Sequence, residues 1–118
     1  VVDRFGRSRG IRLGSFATLE EIGLAASYDL VVCSSALLYA DDAELSAALH
    51  SMAARTRAVA FLELYTSDDQ LDGDRPEGLR DAAYYRKALW RSGFRSVGSH
   101  CYLGPVAHDL ASDLEAAP

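Results

Sequence analysis

The stretch Tyr28 to Asp42, YDLVVCSSALLYADD, limits the fold more tightly than any other part of the chain. Leu30, Val31 and Val32 form an apolar run with two adjacent β-branched residues, the pattern of a strand covered on both faces. Cys33, Ser34 and Ser35 then place small hydrogen-bonding side chains at the strand's carboxyl end, the edge of open α/β sheets where ligands bind. Leu37, Leu38 and Tyr39 read as an apolar turn. Asp41 and Asp42 cap the helix that follows, where their negative charge suits its amino end.

The same alternation extends in both directions. Val1, Val2 and Phe5 share a helical face that Gly6 terminates, so the chain opens on what reads as the end of a helix. Ile11 to Gly14 is a short strand candidate. Thr18 and Glu21 have capping-box spacing, with each side chain satisfying an amide at a helix start. Strand 29–33 comes next. Leu45, Leu49 and Met52, with Ala48 and Ala53 beside them, form one apolar stripe at helical spacing, and Arg55 and Arg57 lie at its far end. Ala58 to Leu64 is a second buried strand. Ser67 to Gly78 is a polar loop punctuated by Asp72-Gly73 and Pro76. Leu79 to Ser92 is a helix with Ala82, Tyr85, Leu89 and Trp90 towards the core, ended by Gly93. Phe94 to Leu103 reads as a final strand interrupted at Gly98 and His100. Gly104-Pro105 breaks it, and 106–116 is a candidate terminal helix. Strands alternating with helices predict an α/β fold: a mostly parallel, Rossmann-like sheet with helices on both faces.

Bulk properties narrow the function. The 118 residues suffice for one domain. Net charge is −5 with a pI near 5.0, and the basic residues are scattered, which argues against a nucleic-acid partner. Cys33 and Cys101 are too few for a disulfide framework, and each sits in an apolar context where a free cysteine acts as a small hydrophobe. No apolar run approaches a membrane span, and no charged-then-apolar leader appears, so the expected location is cytoplasmic with no membrane partner. His50, His100 and His108 are dispersed and give no metal-ligand spacing, so no metal site is expected.

The segment YDLVVCSSALLYADD resembles the region after the fourth strand of class I S-adenosylmethionine-dependent methyltransferases, which commonly reads FDLVVCSxVLxYxxD. The resemblance runs from about Ile11 to Leu103 and includes SGFRSV, similar to the family's xxGFxxV segment. A narrower likeness, through ELYTSDD, YYR and CYL, is to small-molecule enzymes that include relatives of nodulation-type N-methyltransferases. The resemblance implies that 11–14, 29–33, 58–64 and 96–103 are the family's third to sixth strands. Its seventh strand, antiparallel beside the fifth, is not evident in the sequence. The family's glycine-rich loop and the acidic residue closing its second strand are also missing. Residues 1–118 therefore read as a single partial methyltransferase domain lacking the first two strands, and the expected protein is an enzyme only as part of a longer chain.

The resemblance also implies roles. Gly14, Ser15 and Phe16 take the place of the adenine contacts, and Cys33, Ser34 and Ser35 lie where the chain passes the methionine end of the S-adenosylmethionine cofactor. Glu63 and Tyr65, closing the next strand, are the catalytic candidates. Glu63 serves either as a base or as an anchor for a cationic amine, against the plain alternative of a salt-bridged strand end. Tyr39, Arg80 and Tyr84 are candidates to line the pocket of a small-molecule methyl acceptor. The asparagine- or aspartate-led Pro-Pro motif of base-methylating relatives is absent. Two other readings stay open: a non-catalytic α/β module that binds a partner through a sheet edge, and another doubly wound family such as a dehydrogenase or a flavodoxin-like receiver.

Overall fold

The computed structural model describes residues 9–69 and 78–110. The amino-terminal helix end, the centre of the polar loop and the tail beyond Leu110 lie outside them. Strand β1 (Tyr28–Ser34) leads through a 3-10 turn (Leu37–Tyr39) into helix α1 (Asp42–Arg55). Strand β2 (Thr56–Glu63) follows without a loop. Helix α2 (Ala82–Ser92), strands β3 (Arg95–Gly98) and β4 (Cys101–Leu103) and a 3-10 segment (Pro105–Leu110) complete the order.

The sheet order is β1-β2-β4-β3. β1 and β2 are parallel, whereas β4 runs antiparallel to both β2 and β3. The expected mostly parallel sheet is therefore a mixed α/β sheet in which most ladders are antiparallel. The cause is local. The predicted single strand 94–103 is a hairpin, because Ser99 and His100 both adopt left-handed φ, +52° and +63°, and reverse the chain between Gly98 and Cys101. Two successive left-handed residues match the right-handed twist of the flanking strands. The chain then returns between β2 and β3 instead of ending at an edge.

Side-chain direction corrects a second expectation. Along β1 and β2 the paired residues Val31–Ala60 and Cys33–Leu62 face one side, and Leu30–Val59 and Val32–Phe61 the other. Leu45, Ala48 and Leu49 of α1 and Tyr85 and Leu89 of α2 share one core with Cys33, Ala60, Leu62 and Phe94. Both helices thus pack on the same face. On the opposite face Leu30 is 56% and Val32 61% exposed among the described residues. Among the described residues β1 is covered on one side only, and both helices lie on that one face.

Most local signals match, with shifted details. Asp41 caps α1 in a reciprocal box with Glu44, and Asp81 caps α2 through the Tyr84 amide. Gly93 stops α2 with φ +102°, its amide closing on Trp90 O while the Phe94 amide reaches Leu89 O. The candidate strand 11–14 is irregular. The capping box expected at Thr18 and Glu21 is formed one turn earlier by Ser15 and Thr18, opening a short 3-10 helix (Phe16–Thr18). Arg57 lies in β2, paired with Asp29. Trp90 is 62% exposed, not core. The terminal helix appears only as the 3-10 segment within the described residues. At Gly104 the chain presses so close that an added Cβ would sit 2.1 Å from Thr56 O, so the return from β4 demands glycine there.

Candidate functional site

Parallel pairing brings the carboxyl ends of β1 and β2 side by side, with Ser34 opposite Glu63 in the ladder. Ser34 Oγ donates to Glu63 Oε1 at 2.9 Å and Ser35 Oγ donates to the same oxygen at 3.0 Å. The Ser35 amide also donates to Glu63 O at 3.1 Å. Ser35 holds a left-handed φ of +56°, which turns its hydroxyl back towards Glu63 as the strand ends. The two serine hydroxyls, with smaller help from His100 and Tyr65, hold the Glu63 carboxyl below its ordinary range. Such a group is a persistent negative charge and a weak proton acceptor.

A second group stands on the segments that follow the same strand ends. Arg80 Nε donates to Asp42 Oδ1 at 2.9 Å and Arg80 Nη2 to Ala40 O at 2.6 Å. Its guanidinium lies 5.4 Å from the Tyr84 ring centre and 5.8 Å from that of Tyr85. Arg80, and after it Tyr84, keep the Asp42 carboxyl below its usual range. Arg80 therefore joins the start of α1, the turn before it and the start of α2. Tyr84 is exposed beside it and Tyr85 is buried. Tyr39 projects from the same turn, largely exposed, while Leu37 and Leu38 are buried under it.

The remaining candidates do not converge on Glu63. Gly14, Ser15 and Phe16 lie where the chain enters the 3-10 helix, and Phe16 packs on the core while that helix leans on α1. Ser15 is engaged with Thr18. Gly14 leaves no room for a side chain, since a Cβ would meet Ile22 at 2.7 Å. Cys33 is buried in the core, and burial pushes its thiol up, which suits a packing residue and not a nucleophile. His50 is exposed, with Nδ1 2.8 Å from Ser46 O. Among the described residues no group of histidines, cysteines and carboxylates could hold a metal ion, and no helix is long and apolar enough to cross a membrane.

Ser35 was expected at this strand end together with Cys33 and Ser34, but its left-handed backbone and its bond to Glu63 depend on the close approach of β2. No family model, no curated protein and no solved structure matches this chain.

Proposed function

We propose that these residues form the acceptor-side part of a class I S-adenosylmethionine-dependent methyltransferase domain acting on a small molecule. The supporting observation is β4. It runs antiparallel beside β2, the position of the seventh strand that the resemblance requires and that could not be seen in the sequence. The placement of α1 and α2 on a single face agrees with consecutive right-handed crossovers from β1 to β2 and onward.

On this reading the chain supplies one wall of the cofactor and acceptor sites. Ser34, Ser35 and Glu63 form it at the strand ends, with Gly14, Ser15 and Phe16 towards the adenine side and Cys33 as packing beneath. The glycine-rich loop is not among these residues, so the groups present fit the cofactor on that side only. The chemistry such a cofactor supplies is a methyl group on a cationic sulfur. Glu63, held ionised by two hydroxyls, acts in charge recognition of a cationic centre more readily than as a base. Tyr65 borders it, Tyr39 and Tyr84 are the exposed rings left to meet the acceptor, and Arg80 positions Tyr84 and the turn before α1.

The test is the coding sequence upstream of Val1 and calorimetric titration of its full product with S-adenosylhomocysteine. An in-frame strand ending in a glycine-rich loop, with saturable binding, is the expected result. An upstream sequence without that loop, or a product that does not bind, removes the reading. A second reading, a non-catalytic module that associates through its sheet, is favoured by the open face of Leu30 and Val32 and the edge position of β1. Sedimentation that shows a stable, cofactor-indifferent assembly would favour it.

A further inference from the structure

We propose that the cleft between the end of α2 and the β3–β4 hairpin binds an organic anion, a flat aromatic molecule bearing one carboxylate. The cleft has a volume of about 590 Å³, within the range of roughly 300–1,000 Å³ typical of small-molecule sites. It lies away from Glu63. Arg95 pairs with Leu103, and Leu103 pairs with Val59 near the start of β2, so the cleft sits at the opposite end of the sheet from Ser34.

Its walls combine two chemistries. Phe94, Trp90 and Tyr102 supply aromatic surface, Arg86 and Arg95 supply donors, and His108 completes the lining. The Arg95 guanidinium lies 3.4 Å from the centre of the Trp90 ring. Arg95 Nη1 donates to Trp90 O at 3.2 Å and to Phe94 O at 2.9 Å, capping the last carbonyls of α2. That cap occupies one nitrogen of the planar fork, and none of the described residues bonds the other two. A guanidinium held over an indole and bonded to two carbonyls is pre-organised, so little freedom is lost when it grips a carboxylate. His108 is fixed in turn by the Gly93 carbonyl.

The charge of the region is at odds with that of the chain. From Ala82 to His108 there is no Asp or Glu, although the net charge is −5. Arg55, Arg57 and Arg80 are each matched to a carboxylate, whereas Arg86 and Arg95 meet none among the described residues. Arg86 lies close enough to Tyr102 to act on its phenol, which burial pushes up. An unmatched pair of arginines, one stacked on a largely exposed tryptophan, favours a ligand with a negative group and an apolar plane.

The test is calorimetric titration of the full gene product with 2-naphthoate, and with 2-naphthylmethanol as its neutral counterpart of similar shape. The expected result is saturable binding of the acid, at least about tenfold tighter than the alcohol. Arg86→Gln and Trp90→Ala, both changes of exposed side chains, each weaken it by about tenfold or more. Leu30→Thr, on the far face of the sheet, leaves it unchanged. Absence of binding at millimolar 2-naphthoate, equal binding of the alcohol, or indifference to Arg86→Gln overturns the proposal.

Discussion

The two faces of one strand pair carry equally apolar side chains and fare differently. Cys33 and Leu62 point to the helices and are buried, while Leu30 and Val32, on the alternate positions of β1, stand open. Alternation in a strand guarantees that neighbours face opposite ways, but not that either side is covered. The covered face receives both helices because each follows its strand by a crossover of the same hand. Apolar composition on the open face is thus a record of a surface suited to burial, not of burial achieved.

Truncating the covered face has the largest expected effect. Leu62→Ala removes a fully buried side chain at the centre of the core and should cost about 2–5 kcal/mol in denaturant unfolding, whereas Leu30→Ala should cost less than about 1 kcal/mol. Equal losses would mean that the open face is buried in solution. Arg80→Ala should cost about 1.5–3 kcal/mol by stripping charged hydrogen bonds from Asp42 and the Ala40 carbonyl, and Arg80→Lys should recover only part of it. Asp41→Ala deletes the α1 cap and should cost about 1 kcal/mol. Replacing both Leu30 and Val32 by threonine should change stability by about 0.5 kcal/mol or less. It should lower binding of a hydrophobic dye, and undiminished dye binding would place the exposed apolar surface elsewhere.

The smallest effect is a pH dependence on the covered side. Both carboxylate oxygens of Glu20 accept from the Arg55 guanidinium fork, which ties the segment after the first 3-10 helix to the end of α1. The pairing, led by the Arg55 hydrogen bonds, lowers its pKa from 4.5 to about 2. A depressed carboxyl contributes its stability above the unfolded-state value and loses it as pH falls towards the folded one. The denaturation midpoint should therefore decline between pH 4.5 and about 2, and Glu20→Gln should flatten that decline. An identical acid profile in the variant would assign the effect to other carboxylates.

Much of the fold was legible where the signal is local. The strand 29–33, the cap at Asp41, the stripe Leu45–Ala48–Leu49 and the stop at Gly93 rest on contacts within a few residues. The site was legible in part. Ser34 and Glu63 were expected at strand ends, and their hydrogen bond follows once the two strands pair in register. Gly14, Ser15 and Phe16 were placed by resemblance to a strand end, and the chain there is irregular. Trp90 was assigned to the core because it falls near the apolar stripe of α2, but Arg95 covers one side of its ring instead.

The sequence by itself determined β1, α1, β2 and α2, because capping, periodicity and a left-handed glycine act over one or two turns. It also placed small polar residues after β1 and an acid at the end of β2. Only the tertiary structure decided that Ser99 and His100 reverse the chain, that β4 inserts beside β2, and that both helices choose one face. Those outcomes depend on close packing between distant residues, as where Gly104 passes Thr56, and no local pattern encodes it. The pairing of Ser34 and Ser35 with Glu63 belongs to the same class: hydroxyls nearly thirty residues from the carboxylate meet it only because a parallel ladder fixes their register.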